Sequence, residues 1–163
     1  MRQIRKGIFE TNSSSCHSIC ISKQSPEIKQ HVTFYIGEYG WENSVVPAKD
    51  YLYTAILSFQ DRKELLRKLT DILNAHSISY DFQEPVMSTW NGDEYLENGY
   101  IDHVDETRGF VNAVLNDEDM LMRCLFSNSY VVTGNDNSYD EEDECYVALH
   151  NTNMNYDYFF KGN

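Results

Sequence analysis

The sequence predicts an α+β fold, with an antiparallel sheet from N- and C-terminal strands packed by two to four central helices. Three observations carry this expectation. Short β-rich runs bounded by turn residues lie towards both ends of the chain. Windows in the middle repeat apolar residues at helical spacing. No internal repeat or linker breaks the 163 residues, which suits a single domain over 1–163.

Residues 2–9 alternate, with Ile4 and Ile8 on one side and Arg5 and Gly7 on the other, as a first strand does. Residues 19–22 read as a second strand, which makes 10–18 the connection between them. Residues 31–36 are β-rich and end at Gly37, and 37–49, with Trp41 and Pro47, reads as irregular. A helix opens at Pro47-Ala48, where Leu52, Ala55, Ile56 and Phe59 form one apolar stripe. A second helix starts at Asp61, with Glu64 spaced to complete a capping box. Leu65, Leu69, Ile72, Leu73 and His76 line its inner face, and His76 also suits a helix C-terminus as a cation.

Residues 79–82 suggest a short strand, and 85–98 a polar, turn-rich surface loop. Residues 107–115 read as a helix that buries Phe110, Val111 and Val114. Residues 116–119 cap another through Met120, Leu121, Cys124, Leu125 and Phe126, its acidic first turn complementing the helix dipole. Residues 129–133 form a strand that ends in a turn at 134–137. The acidic run 140–144 reads as a solvated loop, with closing strands at 145–149 and 156–160.

Hydrophobic content of 41% and aromatic content of 13% supply a core and exclude wholesale disorder. No apolar run approaches the roughly 18–20 residues that span a bilayer, and the N-terminal residues 1–6 lack the apolar centre of a signal peptide. The expected location is the cytosol, with no membrane partner. Cys16, Cys20, Cys124 and Cys145 are then thiols or metal ligands rather than disulfides. Cys124 lies on an apolar helix face as a core thiol, and Cys145 and His150 flank a strand on opposite sides.

The net charge of −13 is uneven. Residues 1–76 carry 10 basic and 8 acidic side chains, and residues 77–163 carry 3 and 18. Such a field repels phosphate backbones, which argues against direct nucleic-acid binding, and attracts basic surfaces. It also serves plain solubility.

The densest chemistry is Glu10-Thr11-Asn12-Ser13-Ser14-Ser15-Cys16-His17-Ser18, rich in donors, acceptors and ligand atoms and poor in core-forming surface. Tyr100-Ile101-Asp102-His103 and Thr133-Gly134-Asn135-Asp136-Asn137 are two further polar clusters at strand or turn ends. If the three converge, His17 and His103 with Asp102 or Asp136 supply nitrogen and oxygen ligands for zinc or another divalent ion, and Cys16 a sulfur. Asp102 could instead orient an imidazole. The alternative is a hydrogen-bonded network that ties down loops. An acyl-transfer reading of Cys16 or a serine beside His17 lacks a Gly-x-Ser-x-Gly elbow, and neighbours on a strand face opposite sides.

The run from Arg5 to Ser18, with its Phe9-Glu10-Thr11-Asn12-Ser13-Ser14-Ser15-x-His17-Ser18 core, resembles a signature at the start of many small phage and prophage proteins of Gram-positive bacteria. Tyr100–His103, Leu125-Phe126 and residues 129–137 look like later motifs of the same group, so the resemblance touches about a quarter of the chain. Cys16 stands where Ser is often expected. Size, acidity and signature together also resemble anti-CRISPR proteins of streptococcal phages. That resemblance implies a non-enzymatic inhibitor of the type II RNA-guided effector nuclease (Cas9) with a structural zinc, acting in the host bacterial cytoplasm and blocking DNA loading. Its partner contacts would be Asp140, Glu141, Glu142, Asp143 and Glu144, with Asp117, Glu118 and Asp119. The competing expectation is a metal-dependent hydrolase acting on a nucleotide or defence signal, with His17, His103 and Asp136 as ligands and an open water position. A structural phage protein is the third.

Overall fold

The computed structural model describes residues 15–135 and 155–162. The strands expected at 2–9 and 145–149, the loop at 140–144 and the turn residues Asp136 and Asn137 lie outside these residues. The first half of the described chain runs β1 (Ser15–Ser22), β2 (His31–Phe34), β3 (Glu38–Tyr39), β4 (Ser44–Pro47), α1 (Ala48–Ser58), α2 (Arg62–Ala75) and β5 (Ser79–Phe82). The second half runs β6 (Met87–Trp90), β7 (Asp93–Leu96), β8 (Tyr100–Ile101), a 3-10 turn (Val104–Thr107), α3 (Arg108–Asn116), α4 (Glu118–Phe126), β9 (Tyr130–Asn135) and β10 (Tyr156–Lys161).

The expected α+β architecture is present: a four-stranded antiparallel sheet of order β10-β1-β9-β4, packed by helices from the middle of the chain. β1 is central and every one of its eight residues is buried. It begins at Ser15, four residues earlier than the sequence suggests. Ser15, His17 and Ser18 are polar, yet the ladder continues through them, with His17 opposite both Lys161 and Thr133. Gly134 and Asn135 likewise stay in β9 instead of turning, because Cys16 and Ser15 pair with them. β4 is drawn from the stretch expected to be irregular and pairs with β9.

α1 is buried on nearly all sides, from Tyr51 and Leu52 to Ile56 and Leu57, as a helix enclosed by a core must be. Its Asp50 carboxylate accepts from the Tyr35 amide at 2.9 Å and from the Lys49 ammonium at 2.7 Å, which ties the helix start to the end of β2. α2 is amphipathic, with Leu65, Leu69 and Leu73 buried. His76 is exposed at its C-cap rather than inward. The capping box does not form: Asp61 caps with its backbone, while its carboxylate accepts both Arg108 guanidinium nitrogens at 2.8 and 3.0 Å. The Arg108 guanidinium, lying 3.7 Å over the Phe59 ring, holds the Asp61 carboxyl below its ordinary range. A charge-assisted fork between α2 and α3 therefore takes the place of a local cap.

Residues 85–98 form a β-hairpin instead of a loop. β6 and β7 pair antiparallel around Asn91-Gly92, whose φ values of 50° and 90° are those of a type I′ turn. A side chain at position 92 would be strained. α4 is capped by Asp117, whose Oδ1 accepts from the Met120 amide at 3.1 Å, an interaction worth about 1 kcal/mol. One apolar core joins Ile19, Ile21 and Val131 of the sheet to Tyr51, Leu52 and Ile56 of α1, Phe110, Val111 and Val114 of α3, and Leu121 and Leu125 of α4. None of the described helices is long and apolar enough to cross a membrane.

Candidate functional site

Odd-numbered residues of β1 face the helices. At one end these are Ile19 and Ile21, inside the apolar core. At the other they are Ser15 and His17, both 0% exposed. Register places Lys161 beside His17 on the same face, and Asp102 approaches from the chain just after β8. The result is a buried polar junction of three distant segments. Lys161 is 1% exposed, and its ammonium donates to the Ser15 carbonyl at 2.9 Å and to Ser15 Oγ at 2.5 Å. The Ser15 hydroxyl in turn donates to Asp102 Oδ2 at 2.7 Å, and Lys161 Nζ lies 3.9 Å from the same oxygen. The hydrogen bonds run in one direction, from cation through hydroxyl to carboxylate, so the buried ammonium is paired and satisfied.

His17 completes the junction. Gly40 contributes a carbonyl at 2.8 Å, which can only accept, so Nε2 carries the proton. Nδ1 then accepts from the Tyr51 hydroxyl at 2.7 Å. Burial, and then the Lys161 cation, push the imidazole pKa down to about 4, against the opposing pull of the Gly40 hydrogen bond and the Asp102 carboxylate. Burial holds the Tyr51 phenol well above its ordinary pKa, so it stays a donor. His17 is thus a neutral, fixed tautomer wedged edge-on against Tyr51, with ring centroids 5.6 Å apart.

Of the candidate metal ligands among the described residues, the structure brings Asp102 to the His17 junction, sets His103 beside Asp102 and turns Cys16 away. Cys16 points to the opposite face of the sheet, beside Val132 and Tyr130. Both nitrogens of His17 are held by protein groups. His103 is exposed, in a left-handed backbone conformation, with Nε2 3.8 Å from Asp102 Oδ1. Asp136 lies outside the described residues. Among those residues no three His, Cys, Asp or Glu side chains cluster as a metal group would need. A zinc ion at His17 would have to displace one of these two hydrogen bonds, that of Tyr51 if Nδ1 is the ligand. Asp102 and His103 are the pair that could hold one.

Sequence reasoning missed Lys161, Ser15 as a buried residue, and Tyr51. The available signal was in β10: Asp157, Phe159 and Lys161 share one parity, so a Lys at the phase of a core phenylalanine faces inward. Arg123 makes a second anchor at the other end of β10. It donates to Asp157 Oδ2 at 2.9 Å, to the Ser22 carbonyl at 3.0 Å and to Asp119 Oδ2 at 3.0 Å. β10 is therefore pinned to β1 by a charged group at each end.

The expected partner contacts on α4 have local work as well. Asp117 is the N-cap, Glu118 pairs with His76 at 3.0 Å and Asp119 with Arg123, while all three remain exposed. Residues 140–144 lie outside the described residues. A broader acidic segment lies between α2 and α4 in sequence. Residues 81–119 hold eleven carboxylates and one base, Arg108. All eleven except Asp102 are exposed. No protein-family model, curated protein or solved structure compared with this chain matches it.

Proposed function

We propose that this chain is a non-enzymatic phage anti-defence protein that binds a basic protein surface, the nucleic-acid groove of the type II RNA-guided effector nuclease (Cas9), and blocks DNA loading. The observation that carries this reading is the charge of residues 81–119, eleven carboxylates against one base with all but Asp102 exposed, together with the acidic run 140–144 further along the chain. A surface of that sign competes for the same cations that hold a phosphate backbone. Its long-range field speeds encounter and makes binding salt-sensitive. The N-terminal signature supports the phage context, and the buried Lys161–Ser15–Asp102 junction has the character of a scaffold that keeps the sheet together. The test is a DNA-cleavage assay with RNA-loaded nuclease. Reversing Asp140, Glu141, Glu142, Asp143 and Glu144 to lysine is expected to raise the inhibitory concentration at least about tenfold. Inhibition unchanged by the reversal would overturn the acidic-surface mechanism.

The zinc implied by the resemblance belongs to the same proposal. Bound by Asp102 and His103, it would brace the loop after β8 against β1 through the Ser15–Asp102 hydrogen bond. Elemental mass spectrometry of the purified protein is expected to find zinc that is lost in His103→Ala. A wild-type protein without zinc would remove the metal from the account.

A further inference from the structure

In an antiparallel ladder, directly opposed residues share a face and the faces alternate along the strands. In the β6–β7 hairpin, Met87 opposite Leu96 and Thr89 opposite Glu94 turn towards the body of the protein. Leu96 is 2% exposed, Met87 packs on the core and Glu94 pairs with Arg62 of α2. Trp90 opposite Asp93, and Ser88 opposite Tyr95, therefore face away. The Glu97 amide donates to the Val86 carbonyl at 2.7 Å, which carries the ladder on to Val86 and Glu97 on that outward face. Ser88 donates its hydroxyl proton to the Glu97 carboxylate and fixes it there.

The outward face thus combines an open indole with carboxylates. Trp90 is 57% and Val86 48% exposed, and Asp93 and Glu97 are exposed beside them. No lysine or arginine occurs in sequence between Lys68 and Arg108, and among the described residues the cation paired with the hairpin, Arg62, is on its inner side. An indole face rimmed by carboxylates is the complement of a guanidinium, which stacks on the ring while its N–H fork meets the oxygens.

We propose that the outward face of this hairpin, centred on Trp90 with Asp93 and Glu97, is the docking surface for an arginine-bearing segment of a basic protein partner. The proposal rests on the reading of the chain as a binder of basic protein surface, and it names the element and the chemistry of contact. The experiment titrates the full chain with an oligoarginine peptide and an oligolysine peptide at low salt, by calorimetry, and in parallel measures binding to the RNA-loaded nuclease. Trp90→Ala is expected to weaken oligoarginine binding about tenfold, with Trp90→Phe intermediate and oligolysine bound more weakly throughout. Asp93→Asn with Glu97→Gln should weaken it more than Glu64→Gln with Asp71→Asn, which removes equal charge from α2. Unchanged binding in Trp90→Ala, no binding by the wild type, or equal losses in both charge pairs would overturn the docking surface. So would Trp90-dependent self-association in sedimentation, which would make a second copy the occupant. Nuclease binding unaffected by the hairpin variants sinks the hairpin and leaves the functional reading standing. Trp90-dependent peptide binding with no nuclease binding does the reverse. Thermal unfolding of each variant, expected to match the wild type, excludes misfolding as the cause.

Discussion

Lys161→Ala is expected to lower the free energy of unfolding by about 3 kcal/mol, a large share of the total for a domain of this size. The ammonium is 1% exposed, donates to two Ser15 oxygens and lies 3.9 Å from the Asp102 carboxylate, at the meeting point of β1, β10 and the chain after β8. Removing it takes a donor from the Ser15 carbonyl and hydroxyl and a cation from beside Asp102. Asp102 is partly solvated, with a side chain 32% exposed, which keeps the loss near the lower end for a broken buried pair. Lys161→Met preserves the packed stem and is expected to recover part of the loss. Asp102→Asn should cost less than Lys161→Ala, and the double variant less than the two combined, because they share one interaction. Urea unfolding monitored by circular dichroism measures all four. A cost under about 1 kcal/mol for Lys161→Ala would mean that the junction does not hold the sheet.

Acidification from pH 6.5 to pH 4 is expected to withdraw about 3 kcal/mol through His17 alone. The native imidazole has a pKa of about 4 against an ordinary 6.5. Above pH 6.5 neither the folded nor the unfolded state binds the proton, so His17 adds no pH dependence. Between the two values the unfolded chain binds a proton that the native site refuses, and stability falls as pH falls. Below about pH 4 both states are protonated and the loss levels off. His17→Gln, which retains a donor for the Gly40 carbonyl, should lose this part of the slope while other acid-labile groups keep theirs. In a proton NMR titration of the five histidines, the His17 resonance should stay neutral down to about pH 5. A His17 resonance that titrates near 6.5 would show that the buried neutral tautomer is wrong.

Periodicity made much of this fold legible. The stripes of α1, α2 and α3 and the acidic start of α4 announced themselves in sequence, because an amphipathic helix writes its burial at a 3.6-residue period. The termini of the sheet were harder. Ser15 and His17 look like loop residues, since nothing local shows that Lys161, 146 residues after Ser15, bonds the one and Tyr51 the other. A buried polar residue is recognisable only through its partners, and partners are a tertiary fact. The Asp61–Glu64 capping box failed for a related reason: Arg108, far along the chain, offered Asp61 two hydrogen bonds from a cation instead of one from a backbone amide. The hairpin at Asn91-Gly92 was legible, because Asn-Gly between short alternating runs is a strong type I′ signal, but the polar flanks masked it. For the site, the placement of three polar clusters at strand or turn ends raised the prospect of their convergence, and Ser15 of the first does hydrogen-bond Asp102 of the second. That placement did not reveal that Lys161 sits at the centre of the described junction.

The central claim is stoichiometric occupation of a basic surface, and titration of the purified protein against a fixed amount of RNA-loaded effector nuclease tests it most directly. DNA loading, read by fluorescence anisotropy of a labelled duplex, is expected to fall linearly and end near one inhibitor per nuclease, with the affinity weakening steeply as salt is raised. Undiminished DNA loading at a large excess of the protein, or complete loss at a small fraction of one equivalent as an enzyme would give, would contradict it.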